Sequence, residues 1–158
     1  MSENTFKLSA RAKEFLREHS RKTIVFTNGC FDILHKGHVG YLNEAKKLGD
    51  LLFVGLNSDV SVKRVKGEKR PINSQEDRKF VLENLKAVDF VEIFDQETPY
   101  QLIEKIRPSI LVKGGDWKPK DIVGSGIVQA DGGKVESLPF FDGYSTTDTI
   151  TKVLNIKP

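Results

Sequence analysis

Two histidines three residues apart, His35 and His38, enclose Gly37 in a pattern of residue types suited to phosphate chemistry. They follow an apolar, strand-like run and open a helical pattern, so both rings project to one side of the helix start. Backbone N–H groups there carry partial positive charge, and a glycine without a β-carbon allows a triphosphate to approach closely. Gly29, at the end of the strand, is expected to do the same. The segment therefore predicts a phosphate-binding loop.

The same residues have two simpler interpretations. They are either a pair of surface histidines or two ligands of a metal ion. The metal interpretation is poor, because the single cysteine, Cys30, lies nearby but no third ligand has a convincing spacing. We therefore expect no metal site built by the protein itself.

Three further segments follow strand-like runs and carry residues suited to anions. Lysine and arginine gather between Lys63 and Arg70, either as a phosphate-binding segment or as a solvated charged face. Gly114 and Gly115 indicate either close approach of the backbone to a ligand or a plain turn. Ser145–Thr147 opens a helix, where hydroxyl and N–H groups bind phosphate or simply cap the helix.

Short apolar runs predict the elements that position these segments. The strand candidates are Thr23–Thr27, Leu51–Leu56, Phe90–Phe94, Ile110–Val112 and Lys134–Leu138. Most are apolar on both faces, which is typical of strands covered by helices on both sides. Because strands alternate with helices, we expect an α/β fold with a parallel five-stranded sheet. The loops at its carboxyl edge, 28–36, 57–73, 113–120 and 140–145, should then lie together.

Helix starts are marked by capping residues. Ser9 is expected to cap an amphipathic helix within residues 1–21, which either serves an interface or covers the sheet. Ser74 with Asp77 resembles a capping box, and Ser145 or Thr146 caps the last helix. Thr98 is expected to cap a helix with Pro99 in its first position.

Length and composition restrict the class of protein. The chain has 158 residues, 38% hydrophobic and 30% charged, which excludes a disordered or fibrous chain and predicts one domain. The net charge of +3 is too evenly mixed for a non-specific nucleic-acid binder. No apolar run is long enough to span a membrane, and the polar start lacks a signal peptide. With a single cysteine, these features indicate the cytoplasm.

The segment Gly29–His38 resembles the signature of the nucleotidyltransferase superfamily with the His-x-Gly-His motif. Members of that superfamily use a Rossmann-like, doubly wound sheet with helices on both faces. One branch, the adenylyltransferases acting on D-glycero-β-D-manno-heptose 1-phosphate, is resembled more widely. The further matching segments are Ser61–Gly67, Arg70–Asn73 with Asp77-Arg78, Leu111–Trp117 and Asp142–Thr147. The resemblance covers about Lys22 to Leu154, so residues 22–154 are expected to form the catalytic core of a single 1–158 domain.

The resemblance implies transfer of AMP from ATP to heptose 1-phosphate, giving ADP-heptose and pyrophosphate for the lipopolysaccharide core. It implies Mg²⁺ carried by the triphosphate and water, with ATP and heptose 1-phosphate as small-molecule partners. Neither nucleic acid nor membrane is an expected partner. At this length we expect a stand-alone enzyme, linked in function to a separate heptose 7-phosphate kinase. A homodimer is one open assembly.

The resemblance also assigns roles to individual residues. It implies a catalytic role for His35, His38 and Lys63. It implies nucleotide binding by Gly29, Cys30, Phe31, Gly37, Arg78, Lys113, Gly115, Ser145, Thr146 and Thr147. It implies sugar-phosphate binding by Asp32, Arg70, Asp116 and Trp117. Asp32 has the alternative of capping the next helix, Trp117 of packing its loop, and Arg78 of an exposed ion pair.

Other functions stay open at this point. A related cytidylyltransferase branch, acting on glycerol 3-phosphate, carries an arginine shortly before the Ser-Thr-Thr triplet, where this chain has Phe140 and Phe141. That departure disfavours the cytidylyltransferase and moves phosphate binding toward the basic segment and Lys113. A flavin-nucleotide synthase and a non-catalytic nucleotide- or nucleic-acid-binding module are the remaining alternatives.

Overall fold

Five parallel strands form one sheet in the order β3-β2-β1-β4-β5 in the computed structural model, which describes residues 6–156. The strands are β1 (Ile24–Gly29), β2 (Leu51–Asn57), β3 (Phe90–Phe94), β4 (Ile110–Gly114) and β5 (Lys134–Leu138). Each neighbouring pair is parallel. The predicted doubly wound sheet is confirmed, and its strand order reverses beside β1, where such sheets open a crevice for ligands.

Serine side chains fix the starts of four helices. The helices are α1 (Ala10–Glu18), α2 (Lys36–Lys46), α3 (Asp59–Lys66), α4 (Gln75–Glu83), α5 (Tyr100–Ile106), α6 (Ser125–Ala130) and α7 (Thr146–Leu154). The predicted caps Ser9, Ser74 and Ser145 are confirmed, because each hydroxyl accepts the N–H three residues on. Ser58 caps α3 in the same way. Within residues 6–156, no helix combines the length and apolar character needed to cross a bilayer.

Two expectations about local structure are wrong. Residues 57–73 were expected to be a loop, but Ser58 caps α3 there, and Gly67 ends it with a φ of 98°. The expected cap of α5 by Thr98 does not form. Pro99 occupies the N-cap position without a side-chain hydrogen bond, since the proline ring presets the helical φ and carries no N–H to satisfy.

Alternating side chains of the strands build two apolar cores, one on each face of the sheet. Val25 belongs to the core that contains residues of α2 and α4. Its neighbours Ile24 and Phe26 belong to the core that contains residues of α1, α5 and α6. Within that second core, Phe15 of α1 packs against rings of β2 and β3, so α1 covers the sheet. Helices on both faces hold the carboxyl edge of the sheet in a fixed shape.

Candidate active site at the carboxyl edge of the sheet

A cavity of about 530 Å³ opens at the carboxyl edge of the sheet. This volume is within the range of small-molecule sites in proteins. The cavity is lined by residues from the segments that follow all five strands, within 28–41, 57–70, 97–99, 113–123 and 140–147. The predicted convergence of loops at this edge is therefore confirmed.

The two histidines of the motif form a stacked pair at the start of α2. Their ring centroids lie 3.8 Å apart with an interplanar angle of 22°. The backbone N–H of His35 donates to Nδ1 of His38 at 3.3 Å, which assigns the proton of a neutral His38 to Nε2. Burial, together with the neighbouring His35, lowers the pKa of His38 to about 4. At neutral pH the ring is thus an uncharged hydrogen-bond donor.

The loop between β1 and α2 holds an unfavourable backbone conformation. Phe31 and Ile33 have φ values of 47° and 53°, in the left-handed region that a β-branched residue rarely adopts. Such residues cost on the order of 1–3 kcal/mol each and concentrate at functional sites. The edge of the Phe31 ring packs against His38, with centroids 5.7 Å apart. The unusual backbone thus places the ring that supports His38.

Both glycines of the motif make room for aromatic residues. A β-carbon on Gly29 would lie 2.9 Å from the ring of Phe31. One on Gly37 would lie 2.9 Å from Cβ of Tyr144 and 3.0 Å from the ring of His35. Both glycines line the cavity, as expected, but packing alone already excludes a side chain at either position.

Asp32 lies at the cavity, but its carboxylate is committed to the protein. It accepts hydrogen bonds from the N–H groups of Ile72 and Asn73 and from Nε of Arg70, at 2.7–3.0 Å. Although burial opposes it, these hydrogen bonds hold the pKa of Asp32 below its ordinary value. The alternative that Asp32 caps α2 is wrong, because His35 occupies the N-cap.

Arg78 lies inside the protein and is absent from the lining of the cavity. It is 2% exposed, which rules out the alternative of an exposed ion pair. Its guanidinium donates to the carbonyl oxygens of Cys30, Asn57 and Asn73 and to the carboxylate of Asp59. These bonds join the ends of β1 and β2 to the start of α4, and contact of Arg78 with nucleotide stays a prediction.

The cations that line the cavity are Lys66, Arg70 and Lys113. Lys63 is exposed on α3 and does not line the cavity. The reason is that this segment is a helix, so Lys63 lies about 4.5 Å further back along its axis than Lys66. Burial lowers the pKa of Lys113, and the nearby charge of Lys66 lowers it further. Two cations so close together favour a polyanionic ligand.

The segment after β4 divides between the cavity and the surface. Lys113 and Gly114 line the cavity, whereas Gly115, Asp116 and Trp117 do not. Gly115 has a φ of 115°, a backbone conformation that favours glycine, so its residue type is explained without close approach of a ligand. Trp117 is 46% exposed, and its indole N–H donates to the carbonyl of Gly114 at 3.2 Å. Of the two roles expected for Trp117, the geometry supports packing of the loop.

The start of α7 joins the histidine pair at the cavity, as the sequence predicts. Ser145, Thr146 and Thr147 all line it. The Ser145 hydroxyl caps the helix, and the Thr146 hydroxyl donates to the carbonyl of Asp32 at 3.0 Å. Two helix starts, of α2 and α7, therefore face one cavity, and both favour negative charge.

Besides Phe31, which was expected to bind nucleotide, four aromatic residues of the lining were given no role by sequence reasoning. They are Tyr41, Phe140, Phe141 and Tyr144. Three of these rings lie against glycines, since a β-carbon on Gly37, Gly40 or Gly114 would come within 2.9 Å of Tyr144, Phe141 or Phe140. The glycines were the available signal, but a glycine does not indicate which ring lies against it. Asn57, Glu97 and Thr98 also line the cavity and were given no binding role, whereas Lys66 belongs to the basic segment for which phosphate binding was one expectation.

Cys30 lines the cavity as a partly buried thiol. Burial raises its pKa, and the opposing charges of Lys66, Arg78 and Arg70 do not cancel that effect. The thiol therefore stays protonated at neutral pH, which disfavours a role as a nucleophile.

Curated relatives match nearly the whole chain. The family model described as Cytidylyltransferase-like matches residues 26–150. The Bifunctional protein HldE of Campylobacter concisus is 54% identical over 155 residues, covering 98% of this chain and 32% of that protein. The protein of the same name from Wolinella succinogenes is 58% identical over 137 residues, covering 87% of this chain and 28% of that protein. The chain thus spans under a third of the length of these relatives.

Solved structures share the fold. The lipopolysaccharide core biosynthesis protein of Thermoplasma volcanium is 28% identical with a TM-score of 0.63, over 78% of this chain and 99% of that one. The pantothenate synthetase of Thermus thermophilus has a TM-score of 0.54 at 15% identity, over 89% of this chain and 68% of that one. At that identity the second likeness concerns the fold alone.

Proposed function

We propose a function from the premise that this chain belongs to the cytidylyltransferase-like family. It transfers AMP from ATP to D-glycero-β-D-manno-heptose 1-phosphate. The products are ADP-heptose and pyrophosphate. One observation carries the nucleotidyl-transfer step: the stacked, uncharged histidine pair faces a cavity that also receives Lys66, Lys113 and the start of α7. The choice of acceptor is supported by the motif segments and by the similarity to HldE and to a lipopolysaccharide core biosynthesis protein.

The proposed chemistry is an in-line displacement at the α-phosphorus. An oxygen of the sugar phosphate forms a bond to the α-phosphorus, while the bond to the bridging oxygen breaks and pyrophosphate leaves. The nucleophile is already an anion, so no strong general base is needed, and positioning and charge stabilisation supply the catalysis. The Nε2–H of His38 donates to oxygen at the α-phosphorus. Lys66 and Lys113 offset the charge of the phosphates as the two anions meet.

Mg²⁺ fits this chemistry as a companion of the triphosphate. Among residues 6–156 there is no cluster of three or more His, Cys, Asp or Glu side chains that could hold a metal ion. The Asp32 carboxylate is already engaged by three donors. The ion would therefore be held by phosphate oxygens and water, and it would supply charge neutralisation at the leaving pyrophosphate.

The cellular setting belongs to the same proposal. The acceptor carries a phosphate on its anomeric carbon, which a kinase reaction can place there, and we propose a functional link to a separate heptose 7-phosphate kinase. We place the enzyme in the cytoplasm, where ATP is available, and propose a homodimer. Fractionation of cells and the molar mass in solution test these two points separately.

The test is pyrophosphate release with Mg²⁺, pairing ATP, CTP or GTP with heptose 1-phosphate or glycerol 3-phosphate. We expect release with ATP and heptose 1-phosphate alone. His38→Ala should lower kcat by about 10²–10³, the usual cost of removing one donor to a developing charge. His19→Ala is the matched control, because that histidine ends α1 outside the cavity and bonds Phe15. Release with CTP and glycerol 3-phosphate would make the chain a cytidylyltransferase, and no release in any pairing would favour a non-catalytic nucleotide-binding module.

A further inference from the structure

The side chain of Asp32 is a fully buried junction between two walls of the cavity. Its Oδ2 accepts from Nε of Arg70 at 2.9 Å and from the N–H of Ile72 at 2.7 Å, and its Oδ1 accepts from the N–H of Asn73 at 3.0 Å. The carboxylate is 0% exposed. Asp32 lies in the loop that carries the histidines, whereas residues 70–73 connect α3 to α4. One carboxylate thus fixes the connection between α3 and α4 against the loop between β1 and α2.

Arg70 is held by one nitrogen and leaves its other donors available. Its side chain lines the cavity and is only 16% exposed. In the part of the chain that the structure describes, the two terminal nitrogens of Arg70 form no hydrogen bond, and the guanidinium is held through Nε alone. A guanidinium fixed through Nε presents its outer edge as a planar pair of donors, which matches a phosphate group. The arrangement suits an anion that enters the cavity beside the connection between α3 and α4.

We propose that Asp32 is a positioning residue that orients Arg70 to bind the phosphate of the acceptor, without itself touching the sugar. This inference rests on the proposed function and replaces the expectation that Asp32 binds the sugar phosphate directly. Asp32 accepts three hydrogen bonds from the protein, so its carboxylate has little capacity left for hydroxyl groups of a ligand. Arg70 is the group that contacts the ligand, and Asp32 acts through it.

The backbone of Asp32 has a separate task. Its carbonyl accepts from the Thr146 hydroxyl and so connects to the start of α7, where the triphosphate is proposed to bind. A change confined to the side chain leaves that carbonyl in place. Asp32→Asn should therefore weaken binding of the acceptor while binding of ATP is kept, which a general loss of structure would not do.

The experiment measures KM for heptose 1-phosphate and for ATP in Asp32→Asn, Arg70→Ala and the double variant. We expect each single change to raise KM for the acceptor about tenfold or more, with KM for ATP within about twofold of wild type. The double variant should match Arg70→Ala, because Asp32 acts through Arg70. The matched control is Asp131→Asn. It makes the same substitution in an exposed ion pair, in which Asp131 lies 3.0 Å from Arg107.

Several results would overturn the proposal. Multiplicative losses in the double variant would mean that Asp32 contacts the sugar directly, and an equal rise in both KM values would mean a merely structural role. If Asp32→Asn does not fold, Arg70→Lys decides instead. Lysine keeps the charge, but it lacks the planar guanidinium that can bond Asp32 and a phosphate at the same time. The same rise in KM for heptose 1-phosphate is therefore expected. A wild-type KM in Arg70→Lys would contradict the proposal.

A second measurement separates this inference from the proposed function. Calorimetric titration with inorganic phosphate requires no turnover. Phosphate should bind wild type and Asp131→Asn equally, and should bind Asp32→Asn and Arg70→Ala more weakly by the same factor. If wild type releases no pyrophosphate but shows this pattern, the proposed function fails while the role of Asp32 stands. Unchanged phosphate binding in Arg70→Ala would end the proposal whatever the kinetics show.

Discussion

The ring of His35 lies against the ring of His38 at 3.8 Å, and this contact makes a positive charge on His38 costly. Burial is the larger cause of that cost, and two protonated imidazoles at this distance also repel each other. The N–H that His35 donates to Nδ1 leaves Nε2 to carry the proton of the neutral ring. The pair therefore places a neutral donor, rather than a charge, at the proposed reaction centre.

The stability of the protein should depend on pH through His38. Its pKa is about 4 in the folded chain against an ordinary value of 6.5, so the unfolded chain binds a proton over that interval and the folded chain does not. The free energy of unfolding should therefore decrease as the pH falls from about 6.5 to about 4. Urea unfolding at a series of pH values measures this slope. His38→Ala should have a shallower slope, and identical slopes would contradict the prediction.

The basic segment should act through Lys66 and not through Lys63. Lys66 lines the cavity, whereas Lys63 is exposed outside it. Lys66→Ala should raise KM for the anionic substrates about tenfold, and Lys63→Ala should change it by less than about twofold, as expected for a screened surface charge. Steady-state kinetics at two salt concentrations compares these variants. A larger loss in Lys63→Ala would restore the role that the sequence resemblance implies.

A methyl group on Gly37 should impair catalysis more than folding. The added β-carbon would meet Cβ of Tyr144 at 2.9 Å and the ring of His35 at 3.0 Å, so the histidine and the loop before α7 must shift. We expect Gly37→Ala to lower kcat/KM tenfold or more. Gly126→Ala is the control, because a β-carbon there meets nothing within 4 Å, and it should stabilise α6 by about 0.5–1 kcal/mol. Wild-type kinetics in Gly37→Ala would show that the rim of the cavity adapts.

Removal of Arg78 should destabilise the whole domain. Its guanidinium bonds three carbonyl oxygens and Asp59, and leucine would leave these acceptors buried without a donor. We expect Arg78→Leu to lower the free energy of unfolding by about 3–5 kcal/mol. Lys79→Leu, the same loss of charge at the next position of α4, should change it by less than about 0.5 kcal/mol. A stable Arg78→Leu protein that has lost nucleotide binding would instead support the contact expected from the sequence.

The fold followed from local chemistry to a large degree. Serines capped the helices where predicted, and strands apolar on both faces formed the middle of a parallel sheet. The exceptions were the cap of α5, which Thr98 does not form, and α3, because the charged run after β2 concealed the helix that Ser58 starts. Charge runs are typical of both loops and solvated helices, so composition alone did not distinguish them.

The sequence predicted which segments of the chain form the site better than it predicted what each side chain contacts. The histidine pair and Ser145–Thr147 lie at one cavity, as expected. Asp32 and Arg78 occupy the expected neighbourhood, yet their charged groups form hydrogen bonds with backbone groups far away in sequence. A resemblance shows that a charged residue occurs at a position, but only the packed chain shows whether its partner is a ligand or the protein itself.

The hydrogen bond from Thr146 to the carbonyl of Asp32 joins residues 114 positions apart. It connects the first loop of the core to its last helix, and α7 has no buried side chain among those described. With so little apolar burial of its own, this helix belongs to the least stable part of the domain. Binding of a ligand in the cavity and folding of α7 are then coupled equilibria. A bound ligand therefore raises the population of molecules in which α7 is folded, and a folded α7 raises the affinity for the ligand. Amide exchange in residues 146–154 would consequently report occupancy of the active site without any assay of turnover.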